Sequence, residues 1–134
     1  MNILTRGEHR FETAELTQSQ PHLVGQVRYL EEPVGEVHSD ILDQVGDQFA
    51  SFLRNLSSLA GGWTARTEVP QDPVRLSYGV AAILDLPRHA RQELLESPTA
   101  GERLHRVLPL LTRGNEAMQQ EIVKRNPYQG PRLN

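Results

Sequence analysis

A long series of apolar residues spaced three and four apart constrains this chain more than any other feature of its sequence. Such spacing predicts an amphipathic α-helix with one continuous buried face. Gly61-Gly62 can supply the left-handed backbone that ends a helix, so we expect the helix to stop near Ala60. We expect Leu53, which lies in the middle of the series, to be among the residues whose truncation is most damaging. The apolar members of the series are Val37, Ile41, Leu42, Val45, Phe49, Phe52, Leu53, Leu56 and Leu59.

Two shorter helices are predicted after the long one. Asp72 precedes Pro73, which places a capping carboxylate just before a proline suited to the first helical turn. The second helix should therefore run from Pro73 to about Leu84. Pro87 suits the same first-turn position and predicts the start of a third helix.

A fourth helix is predicted from a capping box, in which a threonine and a glutamate three residues later satisfy each other's free backbone N–H groups. Thr99 and Glu102 have this spacing, and an apolar stripe follows them as far as Ile122. Pro109 lies within that stripe and lacks a backbone donor, which predicts a kink.

The first thirty residues alternate instead with the period of two that is typical of strands. Segments 2–5, 9–16 and 22–30 contain β-branched and aromatic residues and are separated by turn-forming sequence. In the last of them Leu23, Val27 and Tyr29 share one face, as expected for a sheet with one solvated side. The prediction is an α+β fold with a small antiparallel β lobe followed by a four-helix lobe.

Composition excludes several classes of partner. The net charge is −3 and the basic residues are scattered, which argues against nucleic acid as a partner. No apolar run reaches the roughly 18 residues that a membrane helix needs, and no basic segment followed by an apolar one opens the chain. Cysteine is absent, so the fold cannot rest on disulfides. We therefore expect a cytoplasmic protein without a membrane partner.

Motifs for catalysis and for cofactor or metal binding are also absent from the sequence. It contains neither the Gly-x-x-x-x-Gly-Lys-Ser/Thr phosphate loop nor a Gly-x-Ser-x-Gly nucleophile turn. A serine-lysine dyad would have to use Lys124, the only lysine, near the end of the last helix where it is hard to desolvate. The histidines show no metal-ligand spacing. We expect no enzyme activity, no cofactor and no metal.

Two stretches of the chain resemble a known family. Residues 2–11 read NILTRGEHRF, a hydrophobic strand followed by Gly-x-x-Arg-Phe, and residues 21–27 read PHLVGQV. Residues 76–86 read LSYGVAAILDL, with RQELLE at 91–96 and RL at 103–104. In this order and at this spacing they are similar to the LON substrate-binding domain found at the N-terminus of Lon-type ATP-dependent proteases. The resemblance covers the chain from Asn2 to about Met118.

The resemblance implies a domain over residues 1–125, with a β portion at 1–32, a helical portion at 36–125 and a flexible tail at 126–134. In the family this domain occurs either fused to an ATPase and a peptidase or as a stand-alone protein. It implies further strands before Asn2, so that Met1 would be an internal methionine and the β lobe incomplete. We then expect an exposed strand edge at residues 2–5 that favours a homodimer.

The function implied by the resemblance is non-catalytic binding of unfolded or damaged polypeptides, in association with a protease partner. A peptidase assignment would be inherited from the family alone. Three aromatic residues are the candidate contacts for a bound polypeptide: Phe11, Tyr29 and Trp63. The alternative is a scaffold or oligomerisation domain with no client polypeptide of its own.

Overall fold

The computed structural model describes residues 2–18, 21–61 and 68–125. Within them the chain forms a two-stranded antiparallel sheet and four helices, which confirms the predicted α+β fold. It divides into two compact units, Met1–Glu32 and Pro33–Asn134, which we call the β unit and the helical unit. Trp63 and the tail at 126–134 lie outside the described residues. The elements are β1 (Phe11–Thr17), β2 (Val24–Tyr29), α1 (Ser39–Leu59), α2 (Pro73–Ile83), α3 (Arg88–Leu95) and α4 (Ala100–Arg125).

The β unit contains one strand fewer than predicted. Strands β1 and β2 confirm two of the three predicted segments, but residues 2–5 form no strand. Ile3 and Leu4 in that segment are 73% and 101% exposed. A strand is stable only when its backbone groups pair with a neighbour. Segment 2–5 has the residue types of a strand but no paired neighbour, so the prediction was wrong.

Helix α1 supplies one wall of the core of the helical unit. It begins after His38 and ends at Leu59, where Ala60 caps it and Gly61 takes a φ of 75°, as the sequence predicts. The apolar series is buried most deeply at Val45, Phe49 and Phe52. Leu53 is only partly buried and packs against the edge of this core.

The packing of α1 against α4 depends on a small residue and on a buried polar cluster. A Cβ at Gly114 would lie 2.9 Å from the ring of Phe52, so glycine permits the close approach of the two helices. Beside this contact, the Asn55 side-chain amide donates to Asn115 Oδ1 at 3.1 Å. Asn115 in turn donates to Gln48 at 2.8 Å. Because buried amides need partners, this cluster favours one register of α1 on α4.

The start of α4 is held by the segment that precedes α1. Ala100 N–H donates to the carbonyl of Pro33 at 3.0 Å, and Gly101 N–H donates to that of Val34 at 2.9 Å. Thr99 Oγ1 accepts from the N–H of Glu102 at 3.1 Å, which is one of the two bonds that the capping box predicts. These bonds satisfy donors that a helix start otherwise leaves without a partner.

The side chain of Arg103 is fully buried and connects three of the four helices. From α4 its guanidinium donates to the Leu94 carbonyl in α3 at 2.9 Å and to Ser77 Oγ in α2 at 3.0 Å. It also donates to the carbonyl of Ser97 at 3.3 Å and lies 4.0 Å from the ring centroid of Tyr78. A cation in the interior is tolerated only when its donors are satisfied, so these partners fix the positions of α2 and α3 relative to α4.

We predict that Leu104→Ala destabilises the helical unit far more than Leu53→Ala. Leu104 is completely buried within the core cluster, and truncation of such a leucine costs about 2 to 5 kcal/mol. Leu53 is only partly buried at the edge of this core, so its truncation removes less contact area. Urea unfolding followed by circular dichroism measures both changes. Equal losses of unfolding free energy in the two variants would mean that Leu53 is buried as deeply as Leu104, and that α1 faces the core through a different side.

A second prediction contrasts two helical glycines. A Cβ at Gly101 would lie 2.3 Å from the carbonyl oxygen of Glu36, so Gly101→Ala should push the preceding segment away and destabilise the fold by about 1 to 3 kcal/mol. A Cβ at Gly46 would be 4.0 Å from Val69, so Gly46→Ala should stabilise α1 by up to about 1 kcal/mol. Thermal unfolding of both variants checks the opposite signs, and a stabilised Gly101→Ala would contradict the close contact.

Candidate functional site

The candidate site is built from the register of β1 and β2. Directly paired residues in an antiparallel sheet project to the same face, and the faces alternate along each strand. Phe11 pairs with Tyr29 and Thr13 pairs with Val27, so these four side chains share one face. The sequence pattern predicts this placement for Val27 and Tyr29. We call this side of the sheet the apolar face.

A β-bulge adds Leu16 to the apolar face. The register shifts between Thr13 and Glu15, so Ala14 is the extra residue of the bulge. Without the shift, Glu15 would project to the apolar face and Leu16 to the opposite one. With it, Leu16 pairs with Gly25, and a Cβ at Gly25 would lie 3.3 Å from Leu16 Cδ2. Gly25 therefore leaves room for the leucine side chain.

The opposite face of the sheet is largely polar. Glu12 pairs with Arg28 across the strands and forms an ion pair with it, and Glu15 pairs with Gln26. Both members of the ion pair are exposed, so its contribution to stability is small. The two faces therefore differ sharply in chemistry.

The side chains of the apolar face are exposed. Phe11 is 55%, Leu16 61%, Val27 40% and Tyr29 69% exposed. The sequence pattern predicts only one solvated side for this sheet, whereas every residue of β1 and β2 is exposed. A two-stranded ribbon cannot bury its own side chains without a further layer. A cluster of large exposed apolar groups on a sheet is the type of surface that marks an interaction site.

The structure brings together two of the three predicted contact residues. Phe11 and Tyr29 are directly opposite each other across the strands, and the ring of His9 meets that of Tyr29 edge-on at a centroid distance of 5.9 Å. Trp63 lies outside the described residues, so its relation to this pair stays a prediction. Sequence reasoning missed Leu16, because the bulge that turns it to this face leaves no signal in the alternation of residues.

A second apolar feature lies in the helical unit. A groove of about 520 Å³ is bordered by Phe52 and Leu56 of α1, by the end of α2 and by Leu110 and Met118 of α4. Such a volume falls within the range of about 300 to 1,000 Å³ that is usual for ligand pockets. Asp85 and Arg113 are the charged residues in its lining.

The described residues offer little for catalysis. They contain no group of three or more histidine, aspartate or glutamate side chains arranged to hold a metal ion. Lys124, the only lysine, is exposed in the last turn of α4. No helix among the described residues has the length and apolar character needed to cross a membrane.

Comparison with known proteins places the chain in a family. The chain matches the family model of the ATP-dependent protease La (LON) substrate-binding domain over residues 1–113. A comparison with curated proteins found no match. The family match spans both units and nearly all of the described elements, so the chain belongs to the LON substrate-binding domain family. Membership indicates a substrate-binding role.

We predict that a charge on the apolar face changes dye binding while the same charge on the polar face does not. Val27→Glu should lower the fluorescence of Nile red, a neutral dye that responds to exposed apolar surface, because Val27 lies beside Phe11, Leu16 and Tyr29. Val24→Glu introduces the same charge by the same substitution on the opposite face of β2 and should leave the signal near wild type. Equal signals from the two variants would show that the dye does not report on this face.

Proposed function

We propose that this chain is a non-catalytic module that binds unfolded or damaged polypeptides through the β unit. The observation that carries the proposal is the apolar face, where Phe11, Leu16, Val27 and Tyr29 are exposed together on one side of a sheet. Membership of a substrate-binding family supports it. The proposal assigns the contact role to Phe11, Tyr29 and Trp63.

The sheet offers a polypeptide two kinds of contact. Each strand pairs only with the other within the described part of the chain, so both outer edges present backbone groups. An extended polypeptide can add to such an edge through main-chain hydrogen bonds, which do not depend on its sequence. Every second side chain of the added strand would then project to the apolar face, next to Phe11 or Tyr29.

This geometry favours unfolded clients over native ones. A native protein has its backbone groups paired and its apolar side chains buried, whereas an unfolded one exposes both. Full burial of a large apolar side chain contributes about 1.5 to 3 kcal/mol. Ordering a flexible chain offsets about 2 to 5 kcal/mol of the gain. We therefore expect broad selectivity and dissociation constants on the order of micromolar.

The chemistry of the chain supports a non-catalytic role. Neither a nucleotide-binding loop nor a serine nucleophile motif is present in the sequence, and Lys124 is solvated. Hydrolysis of a captured client would then need a partner protease. The proposed setting is the cytoplasm, since the chain contains no cysteine and no disulfide could stabilise it outside a reducing compartment.

The same surface supports a second candidate function, that of a scaffold or oligomerisation domain. An open strand edge beside an apolar face can accept a second copy of this chain as readily as an unfolded client. The two functions differ in what competes for the surface. Self-association depends on the concentration of the protein alone, whereas client binding persists at concentrations where the protein is monomeric.

We predict that a double variant, Phe11→Ser with Tyr29→Ser, weakens binding of fluorescently labelled, carboxymethylated casein by about ten-fold or more. Each aromatic side chain buried against the client contributes favourable free energy, so loss of two such contacts weakens binding by several kcal/mol at most. Val123→Ser is the matched control, because Val123 is 65% exposed but lies in α4. Trp63→Ser, measured in parallel, tests the third contact residue. Fluorescence anisotropy at protein concentrations shown by sedimentation to be monomeric gives the affinities.

Three outcomes would count against the proposal. Selectivity for unfolded clients would be absent if native globular proteins of similar size to casein bound as tightly as the denatured polypeptide. Wild-type affinity in the double variant would move the binding surface away from the sheet. Concentration-dependent self-association that is abolished by the double variant, without any client binding, would establish the scaffold function instead.

A further inference from the structure

A cationic pocket in the helical unit is lined by residues other than those of the proposed binding surface. It has a volume of about 320 Å³ and lies between α2, α3 and the start of α4. Three arginines line it: Arg88, Arg91 and Arg103. Among the described residues, no aspartate or glutamate contributes to this lining. The whole chain carries a net charge of −3. The three arginines at this pocket therefore give it a local charge of the opposite sign.

Two of these arginines are placed to contact a ligand. Arg88 and Arg91 are three residues apart on α3, and residues at this spacing are neighbours on one helix face. Both are exposed, and neither takes part in an ion pair among the described residues. Planar guanidinium groups bind carboxylates through two parallel hydrogen bonds. This pair therefore suits a carboxylate at the mouth of the pocket.

Arg103 and Tyr78 form part of the wall behind them. Arg103 is completely buried and already bonded to Ser77, Leu94 and Ser97, so it does not need to bind the ligand directly. Its positive charge is less screened than that of a surface group because water is excluded around it. It also lies against the ring of Tyr78, which lines the pocket. Arg103 is thus a positioning residue that adds a favourable field for an anion.

Apart from the exposed Gln92, the rest of the lining is apolar. It consists of Ala81 and Ala82 of α2 and Leu94 and Leu95 of α3. A ligand that fits must therefore combine one negative charge with a compact apolar group. The volume lies at the lower end of the range of about 300 to 1,000 Å³ for ligand pockets, which suits one or two residues and is too small for a helix.

We propose that this pocket binds the C-terminal end of a polypeptide whose last residue is apolar. The terminal carboxylate would lie between Arg88 and Arg91, and the apolar side chain would contact Ala82 and Leu95. This assignment rests on the proposed function, in which polypeptides are the substrate class, and adds a preference for a free C-terminus. The sheet would contact extended segments elsewhere in the same client.

The test uses two short peptides that end in Leu-Leu and carry an N-terminal fluorophore, one with a free C-terminal carboxylate and one amidated. Amidation should weaken binding to the wild-type chain by about ten-fold, as expected for loss of charge-assisted hydrogen bonds. In a double variant, Arg88→Gln with Arg91→Gln, the two peptides should bind with equal, weak affinity. Arg91→Lys keeps the positive charge, so it should retain part of the preference for the free carboxylate that the double variant loses.

Arg75→Gln is the matched control, because Arg75 is an exposed arginine of α2 outside the pocket lining. It should leave the ten-fold preference unchanged. Equal binding of the two peptides to the wild-type chain would overturn the inference, as would loss of the preference in Arg75→Gln. Casein binding that depends on Phe11 and Tyr29 but not on Arg88 and Arg91 would leave the proposed function standing. Carboxylate-dependent peptide binding without casein binding would leave the pocket standing alone.

Discussion

The helical unit depends on one buried cation. Arg103 is completely enclosed and its guanidinium group bonds to Leu94, Ser77 and Ser97 while stacking on Tyr78. An unsatisfied charge in the interior is far more costly than a surface one, so each of these partners must be in place for the unit to close. Apolar burial drives the helices together, but it is non-directional. The arginine selects one arrangement of α2, α3 and α4 among the many that would bury the same apolar residues.

A second polar device acts between α1 and α4 in a similar way. Asn55 and Asn115 are both buried, and they bond to each other and to Gln48 and Gln119. Sliding α1 along α4 by one turn would leave these amides without partners, whereas apolar contacts would re-form. The helical unit thus combines an adaptable apolar core with two directional networks. This combination gives a rigid base, on which the cationic pocket is built.

The sequence was most informative where a local signal determines the structure. The cap at Asp72 confirms the predicted start of α2, since its side chain accepts from the N–H of Arg75, and Gly61 confirms the end of α1. Long-range partners were not predictable. Arg103 looks like any surface arginine in the sequence, and its burial depends on acceptors up to 26 residues away.

The β unit shows the same limit. Segment 2–5 has the composition of a strand, yet a strand also needs a neighbour, which composition does not supply. The candidate contact residues Phe11 and Tyr29 were chosen because aromatic side chains stand out, but their direct pairing depends on the register. Leu16 reaches the apolar face through the bulge at Ala14, and a bulge shifts the alternation that sequence reasoning relies on.

Hydrogen exchange of the chain with and without bound denatured polypeptide tests most directly whether the β unit is the client-binding surface. Amides at a strand edge exchange quickly when they face water, and an added strand protects them. Addition of a denatured, carboxymethylated polypeptide should slow exchange in Phe11–Thr17 and Val24–Tyr29, with little change in α1 and α4. Unchanged exchange in both strands, together with new protection confined to the helical unit, would contradict the account.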